Sequence, residues 1–250
     1  MIAGLICAAE FASARGETST ADFFLQHADW LAAHVEEWTI TTAGELVEGM
    51  RRHYLRITIL TGERGHYELA ARHDAKPFIT AMEKFANEGG TLSEQLWDVE
   101  DLPEKGMRRG RPTGAAMPLC WSHAEYLSPV RSAHDGVVFD RVEPAFQRYV
   151  IERVEHSHEM WSARHPIRRM PRGRTLRPIV GADASIVWCS DGWSSTNQTA
   201  ATAVGGVNLW FADLATQDCP EGALVEFTFF WREANRWEGR NYSVAVGRGG

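Results

Sequence analysis

Residues 90–98 read GTLSEQLWD, and their neighbours decide how the chain is built. Just ahead, in residues 77–87, Phe78, Met82 and Phe85 fall at i, i+4 and i+7. That spacing puts them on one helical stripe, and Gly89 and Gly90 then end the helix. Just behind, residues 101–114 (DLPEKGMRRGRPTG) have the proline, glycine and charge content of a loop. Glu94 therefore sits on a connection between helices, with Ser93, Gln95, Trp97 and Asp98 beside it. A loop carboxylate next to an aromatic ring and amide and hydroxyl groups suits acid/base chemistry on a sugar. The carboxylate can activate water, the ring can stack on a pyranose, and the amide can orient hydroxyls. The plainer alternative is a solvated acidic loop, because exposed carboxylates are common.

Outward from this stretch the N-terminal part is helical. Residues 3–15 are nearly all apolar and are expected to form a buried helix, with Ile2, Leu5, Ile6 and Ala9 at helical spacing. The segment imitates a signal peptide but lacks a basic n-region and carries Glu10, so it reads as a helix. Thr18 to Thr20 offer an N-cap for a second helix over 21–36, giving an αα-hairpin. Residues 38–44 (WTITTAG) read as extended and turn-like, and residues 51–59 (RRHYLRITI) as a short strand. Further helices are expected over 62–73, 77–87, and 115–127, where Pro129 should kink or end the last one. One more helix is expected over 145–163. Residues 164–174 (RHPIRRMPRGR) read as a basic, solvated linker.

From about Leu176 the pattern changes to short alternating apolar runs split by Gly, Asp and Asn turns, which predicts a small antiparallel β-sandwich. It carries Trp188, Trp193, Trp210, Trp231 and Trp237. If Trp193 and Trp237 share an exposed face they suit sugar binding; if both are buried they are core. Tryptophans on alternating strands usually build cores.

A net charge of −7 and a pI near 5.8 argue against a nucleic-acid backbone or an anionic membrane as the main partner. No run of 18 apolar residues is present to span a bilayer. The cysteines Cys7, Cys120, Cys189 and Cys219 form no CxxC pair; a Cys189–Cys219 disulfide stays open, since spacing alone cannot establish it. Compartment is therefore left unassigned.

Four stretches together resemble the bacterial glucoamylases and their relatives in glycoside hydrolase family 15. They are HVEEWTITTAG (34–44) with RHYLRI (52–57), LTGERGHYELAA (60–71), GTLSEQLWD (90–98), and PTGAAMPLCWSHAEYLSPVRSAHDGVVFD (112–140). The ending FTFFWREANRWEGRNY looks like the β domain that follows the catalytic domain in some relatives. The resemblance implies a six-hairpin (α/α)6 barrel that hydrolyses α-glucosidic bonds of starch-type glucans with inversion. The implied partner is an α-glucan or maltooligosaccharide, and no cofactor is implied. Calcium is seen in some relatives, but the sequence has no Asp-rich loop to hold it.

Inversion needs an acid for the leaving oxygen and a base for the attacking water, about 6.5–9.5 Å apart. The family's S/P-E-Q motif supplies the base and maps onto Glu94. Trp121 matches a position where the family places an aromatic near the sugar, and Trp97 can serve the same surface. Arg64 and His123 are further candidates for substrate binding; the alternatives are a helix salt bridge for Arg64 and a hydrogen-bonded core histidine for His123.

The departures from the family are as informative. The family's acid lies in a W-E-E type stretch ahead of a helix like residues 3–15. Glu36, Glu37 and Trp38 belong to a different family stretch and run in the reverse order, so they do not inherit the role. Only Thr58 and Ile59 separate the RHYLRI-like stretch from the LTGERGHYELA-like one, where relatives carry a long segment. The lost segment includes sugar-contacting loops, so linkage preference, α-1,4, α-1,6 or dextran-type, is not set by the residues around Glu94. An (α/α)6 barrel needs twelve helices, and the periodicity here supplies about six. The expectation is a truncated, internally deleted catalytic domain over residues 1–140, about half a barrel. A connecting helix and basic linker follow over 141–174, and a β-sandwich over 175–250. Half a barrel leaves apolar helix faces uncovered, which favours self-association. The alternative is a non-catalytic remnant whose tryptophan-rich β domain binds carbohydrate or only packs.

Overall fold

The computed structural model describes residues 1–41, 53–54 and 58–247. In chain order they form α1 (Ile2–Ala14), α2 (Thr18–Thr39), the short pair β1 (Ile40–Thr41) and β2 (His53–Tyr54), α3 (Thr58–Ala70), α4 (Lys76–Phe85), α5 (Cys120–Asp135) and α6 (Glu143–Phe146). Strands follow: β3 (His158–Trp161), β4 (Arg169–Pro171), β5 (Thr175–Val180), β6 (Ala184–Cys189), β7 (Asn197–Ala200), β8 (Thr202–Ala203), β9 (Trp210–Phe211), β10 (Leu224–Trp231), β11 (Arg236–Trp237) and β12 (Tyr242–Gly247). Helices followed by sheets is the order the sequence predicts. Among the described residues no helix is long and apolar enough to cross a membrane.

The chain divides into two compact units, and the division differs from one drawn along the sequence. One unit is His34–Arg153; the other joins Met1–Ala33 to Val154–Gly250. The sequence reading grouped the first two helices with the later ones, as residues 1–140. The reason for the difference is where apolar side chains of α2 find cover. Phe23 packs with Val204 and Phe211, and Trp30 and Leu31 pack with Met160. The Trp30 indole N–H donates to Glu159 Oε2 at 3.0 Å. Thr20, expected to cap α2, instead lies inside it; its hydroxyl accepts the Gly205 N–H at 2.8 Å. Helix α1 is not buried all round. Ile6, Ala9 and Ala12 are covered, and Ala9 and Ala12 meet Ala21 at a close small-residue contact, while Phe11 is 74% exposed.

The strands of this unit make two sheets, ordered β4-β12-β10-β6-β7 (with β11 on β10) and β3-β5-β9-β8. Strand β10 alternates as a half-buried strand should: Val225, Phe227 and Phe229 are buried and the residues between them are not fully so. They share one core with Leu176 of β5, Ile186 of β6 and Val244 of β12. Trp161 closes it, edge-on to Phe227 at 5.0 Å and to Tyr242 at 4.6 Å.

Three expectations are corrected here. Residues 158–161 are a strand, not the end of a helix over 145–163, because they pair in parallel with β5 and all four residues are buried. The helix expected there is confined to α6 and a π-helical turn over Gln147–Ile151. The basic stretch 164–174 is not a solvated linker, since Arg169–Pro171 pairs with β12 and buries Met170. The sheets are not wholly antiparallel, since β3 runs parallel to β5 and β4 parallel to β12. Cys189 and Cys219 lie buried in the shared core as free thiols.

In the unit His34–Arg153, α3, α4 and α5 pack on one another. Gly65 allows the approach: a Cβ there would meet the Phe78 Cβ at 3.4 Å and the Pro129 Cβ at 3.6 Å. The predicted stripe of α4 is confirmed by the buried Met82 and Phe85, with Phe78 partly covered beside them. Helix α5 starts five residues later than expected, at Cys120, and runs through the buried Pro129 to Asp135. Packing overrides the proline there, though a missing amide still forfeits one helical hydrogen bond. Helix α3 starts at Thr58, so two residues of the expected 51–59 strand are helical; Arg51, Arg52 and residues 55–57 lie outside the described residues, as do residues 42–44.

Two outcomes follow for the β-containing unit. Phe227→Ala should cost about 3–5 kcal/mol in denaturant unfolding, as a large ring leaves a closed core. Burial, and then the nearby Arg177 charge, hold His27 below its ordinary value. The unfolded chain then binds the proton first, so this stability is complete above about pH 6.5 and is lost as pH falls from there through the lower value of the folded state. His27→Gln should flatten that part of the stability–pH curve in thermal melts.

Candidate functional site

Residues 92–97 are stitched to residues 110–123 of the same unit. Burial of Leu92, Ser93 and Leu96 takes their backbone away from water, so its polar groups need internal partners. They find them along the returning chain. Gly110 N–H donates to Trp97 O at 2.7 Å, Trp97 N–H to Arg111 O at 2.9 Å, and Thr113 N–H to Gln95 O at 3.1 Å. Glu94 N–H donates to Ala116 O, and Leu119 N–H to Leu92 O, each at 2.9 Å.

The first turns of α5 complete the arrangement with side chains. The Ser122 hydroxyl, fully buried, donates to Ser93 O at 2.8 Å. The Leu92 N–H donates to His123 Nε2 at 3.1 Å. A backbone N–H can only donate, so Nε2 is the unprotonated nitrogen of that ring. His123 thus takes the structural part the sequence left open, holding the backbone two residues before Glu94. Ser122 was not singled out from the sequence; a lone serine at a helix start gives no signal of a long-range acceptor.

Glu94 itself is half-buried. Among the described residues its carboxylate has no hydrogen-bond or ion-pair partner. Its backbone is fixed while its oxygens stay uncommitted, which is what activating a water requires. Trp97 is half-buried on the same loop, its indole N–H donating to Glu100 O at 2.7 Å. Trp121 is 60% exposed on α5, with its indole N–H on Glu125 Oε1 at 3.1 Å. The exposed ring face is free of that bond and suits stacking.

Arg64 is placed differently. Its guanidinium, on α3, pairs with Glu36 and reaches Glu68 at 2.5 Å, and its carbon CZ lies 4.7 Å from the Tyr67 ring centroid. These contacts match the helix salt-bridge reading, and none of them brings Arg64 to the Glu94 loop. Burial alone would raise the Glu68 carboxyl, but hydrogen bonds from His73 and Arg64 hold it below its ordinary value.

The site just described lies inside a segment with known relatives. The model of the family described as Glycosyl hydrolases family 15 matches residues 36–131. Over 92 residues the chain is 49% identical to a glucoamylase of Clostridium sp. (strain G0005), a match that covers 37% of this chain. It covers 12% of that relative, so the chain spans a small part of the relative's length.

The clamp and the ion pair are separately testable. His123→Ala strands the buried Leu92 N–H and should destabilise this unit by about 1–3 kcal/mol in denaturant unfolding. Arg64→Gln should move the Glu68 carboxyl up toward the ordinary glutamate value, read by a carbon-detected NMR pH titration.

Proposed function

We propose that residues 36–131, a segment of the family-15 glycosyl hydrolases, retain the water-activating half of an inverting α-glucosidase. In this reading Glu94 is the general base for starch-type glucans, the substrate class that the resemblance to glucoamylases implies. The observation that supports it most is the Glu94 loop: a fixed backbone carrying an uncommitted, half-buried carboxylate inside the matched segment. Trp97 and Trp121 offer aromatic faces for a pyranose, and His123 acts by positioning the loop. Arg64 contributes through the helix packing that its ion pairs support.

The general acid is the weak point of this activity. These 250 residues contain no W-E-E stretch, and Glu36–Glu37–Trp38 is its reverse. Without a positioned acid, about 10²–10⁴-fold of rate is forfeited on a poor leaving group. The helices of this unit then form part of an (α/α)6 barrel, and its uncovered apolar groups, such as Leu127 at 62% and Phe139 at 63% exposure, favour self-association.

A second reading, a non-catalytic remnant, draws on the tryptophans of the β-containing unit. Trp237 is 54% exposed and Trp193 half-buried, so they are neither a shared exposed face nor a common core.

The test uses α-D-glucosyl fluoride, because fluoride departs without protonation and so bypasses the acid. The full chain should release fluoride and β-glucose, and Glu94→Gln should lower the rate by about 10²-fold or more. Maltotriose should be turned over far more slowly. Release that is indifferent to Glu94, or α-glucose as product, would remove Glu94 from the role of base.

A further inference from the structure

The unit Met1–Ala33 with Val154–Gly250 contains a cleft of about 340 Å3, a volume in the lower range of small-ligand sites. Ser157, His158, Thr175, Asp213 and Gln217 line it. None of them belongs to the Glu94 loop.

One lining residue, Asp213, is paired with a buried cation. The Arg177 side chain is 2% exposed, lying 4.4 Å from the Phe211 ring centroid and 5.8 Å from that of Phe23. It grips Asp213 with both arms, Nε to Oδ1 at 2.5 Å and Nη2 to Oδ2 at 2.7 Å. A fork of this kind fixes the carboxylate plane. Yet Asp213 is 41% exposed, so the carboxylate is held rigidly from behind and left open in front. Burial would raise the Asp213 carboxyl, but the nearby His158 ring and the hydrogen bonds and charge of the Arg177 guanidinium hold it down at about 2. It is therefore an acceptor at every working pH.

The other lining groups continue the pattern. His158 Nδ1 lies 2.9 Å from the Ser157 hydroxyl, and its Nε2 lies 3.7 Å from Asp213 Oδ1. The Gln217 amide N–H donates to the Thr175 hydroxyl at 2.6 Å, which leaves the Gln217 carbonyl oxygen as an acceptor. The Arg177 and Asp213 charges cancel. The cleft is thus rich in fixed acceptors and carries no net charge of its own from this pair. That combination favours a ligand with several hydroxyl donors and no formal charge, because a charged one would be desolvated without compensation.

We propose that this cleft is a binding site for a neutral, polyhydroxylated ligand, a saccharide, with Asp213 and Gln217 accepting its hydroxyls. The site is independent of Glu94, so either reading can fail without the other.

The experiment is an amide-resolved NMR titration of the full chain with maltotriose. Saturable shifts should gather at residues 157–158, 175 and 213–217, with a dissociation constant of order 1 mM. Gln217→Ala removes one acceptor without touching the Arg177–Asp213 pair and should weaken binding about fivefold. Asp213→Ala should abolish it, and a thermal melt reports whether that variant still folds. Glu94→Gln should leave these shifts unchanged. Absence of saturable shifts at the cleft up to about 50-fold the expected dissociation constant would overturn the proposal. So would undiminished binding by Gln217→Ala, or shifts at the cleft with 1,4-diaminobutane and none with maltotriose.

Discussion

A backbone that leaves water must find partners in the protein, and the Glu94 loop is shaped by that requirement. Leu92 and Ser93 are buried, so their amide and carbonyl groups cannot rely on solvent. The Leu92 carbonyl is met by the Leu119 amide, the Leu92 amide by His123, and the Ser93 carbonyl by Ser122. The Glu94 amide is met by Ala116. With the main chain so committed, the Glu94 carboxylate, which has no partner among the described residues, is left to interact with something outside the segment. A fixed backbone with an uncommitted side chain is the arrangement in which a base loses least freedom on meeting its water.

The β-containing unit solves a comparable problem with charge. Arg177 is as buried as the phenylalanines around it, and only the bidentate Asp213 and the aromatic faces of Phe211 and Phe23 make that position tenable. One of its nitrogens, Nη1, has no hydrogen-bond partner among the described residues, so the packing there is set by the pair and the rings rather than by full hydrogen bonding. Burial, and after it the same cation, depresses His27, which makes the stability of this unit sensitive to acid. Buried phenylalanines on β10 provide the larger, non-directional part of the stability.

Several elements were legible because their signal is local. The stripe of Phe78, Met82 and Phe85 predicted α4 and its buried face, and the period-2 pattern around Val225, Phe227 and Phe229 predicted β10. The glycines after α4 placed Glu94 on a loop. Other features failed for equally definite reasons. Residues 158–161 read as helix because HEMW is too short and mixed in polarity to show a period, and only pairing with β5 makes it a strand. Pro129 reads as a kink or an end of α5, but the cost of a lost amide is offset by burial against α3. Arg169 to Pro171 looked like linker because charge outweighed the single apolar Met170 that the sheet buries.

By itself the sequence determined the helices-then-strands order, the loop that carries Glu94, and the resemblance of four stretches to one hydrolase family. These depend on residue spacing within a turn or a pleat, which neighbours along the chain encode directly. Tertiary structure alone decided that Met1–Ala33 folds with the strands, that β3 and β4 pair in parallel, and that His123 and Ser122 serve the Glu94 backbone. It also decided that Asp213 and Arg177 meet. Each of these joins residues far apart in the chain, and such contacts are selected by which apolar faces and buried polar groups can be satisfied together.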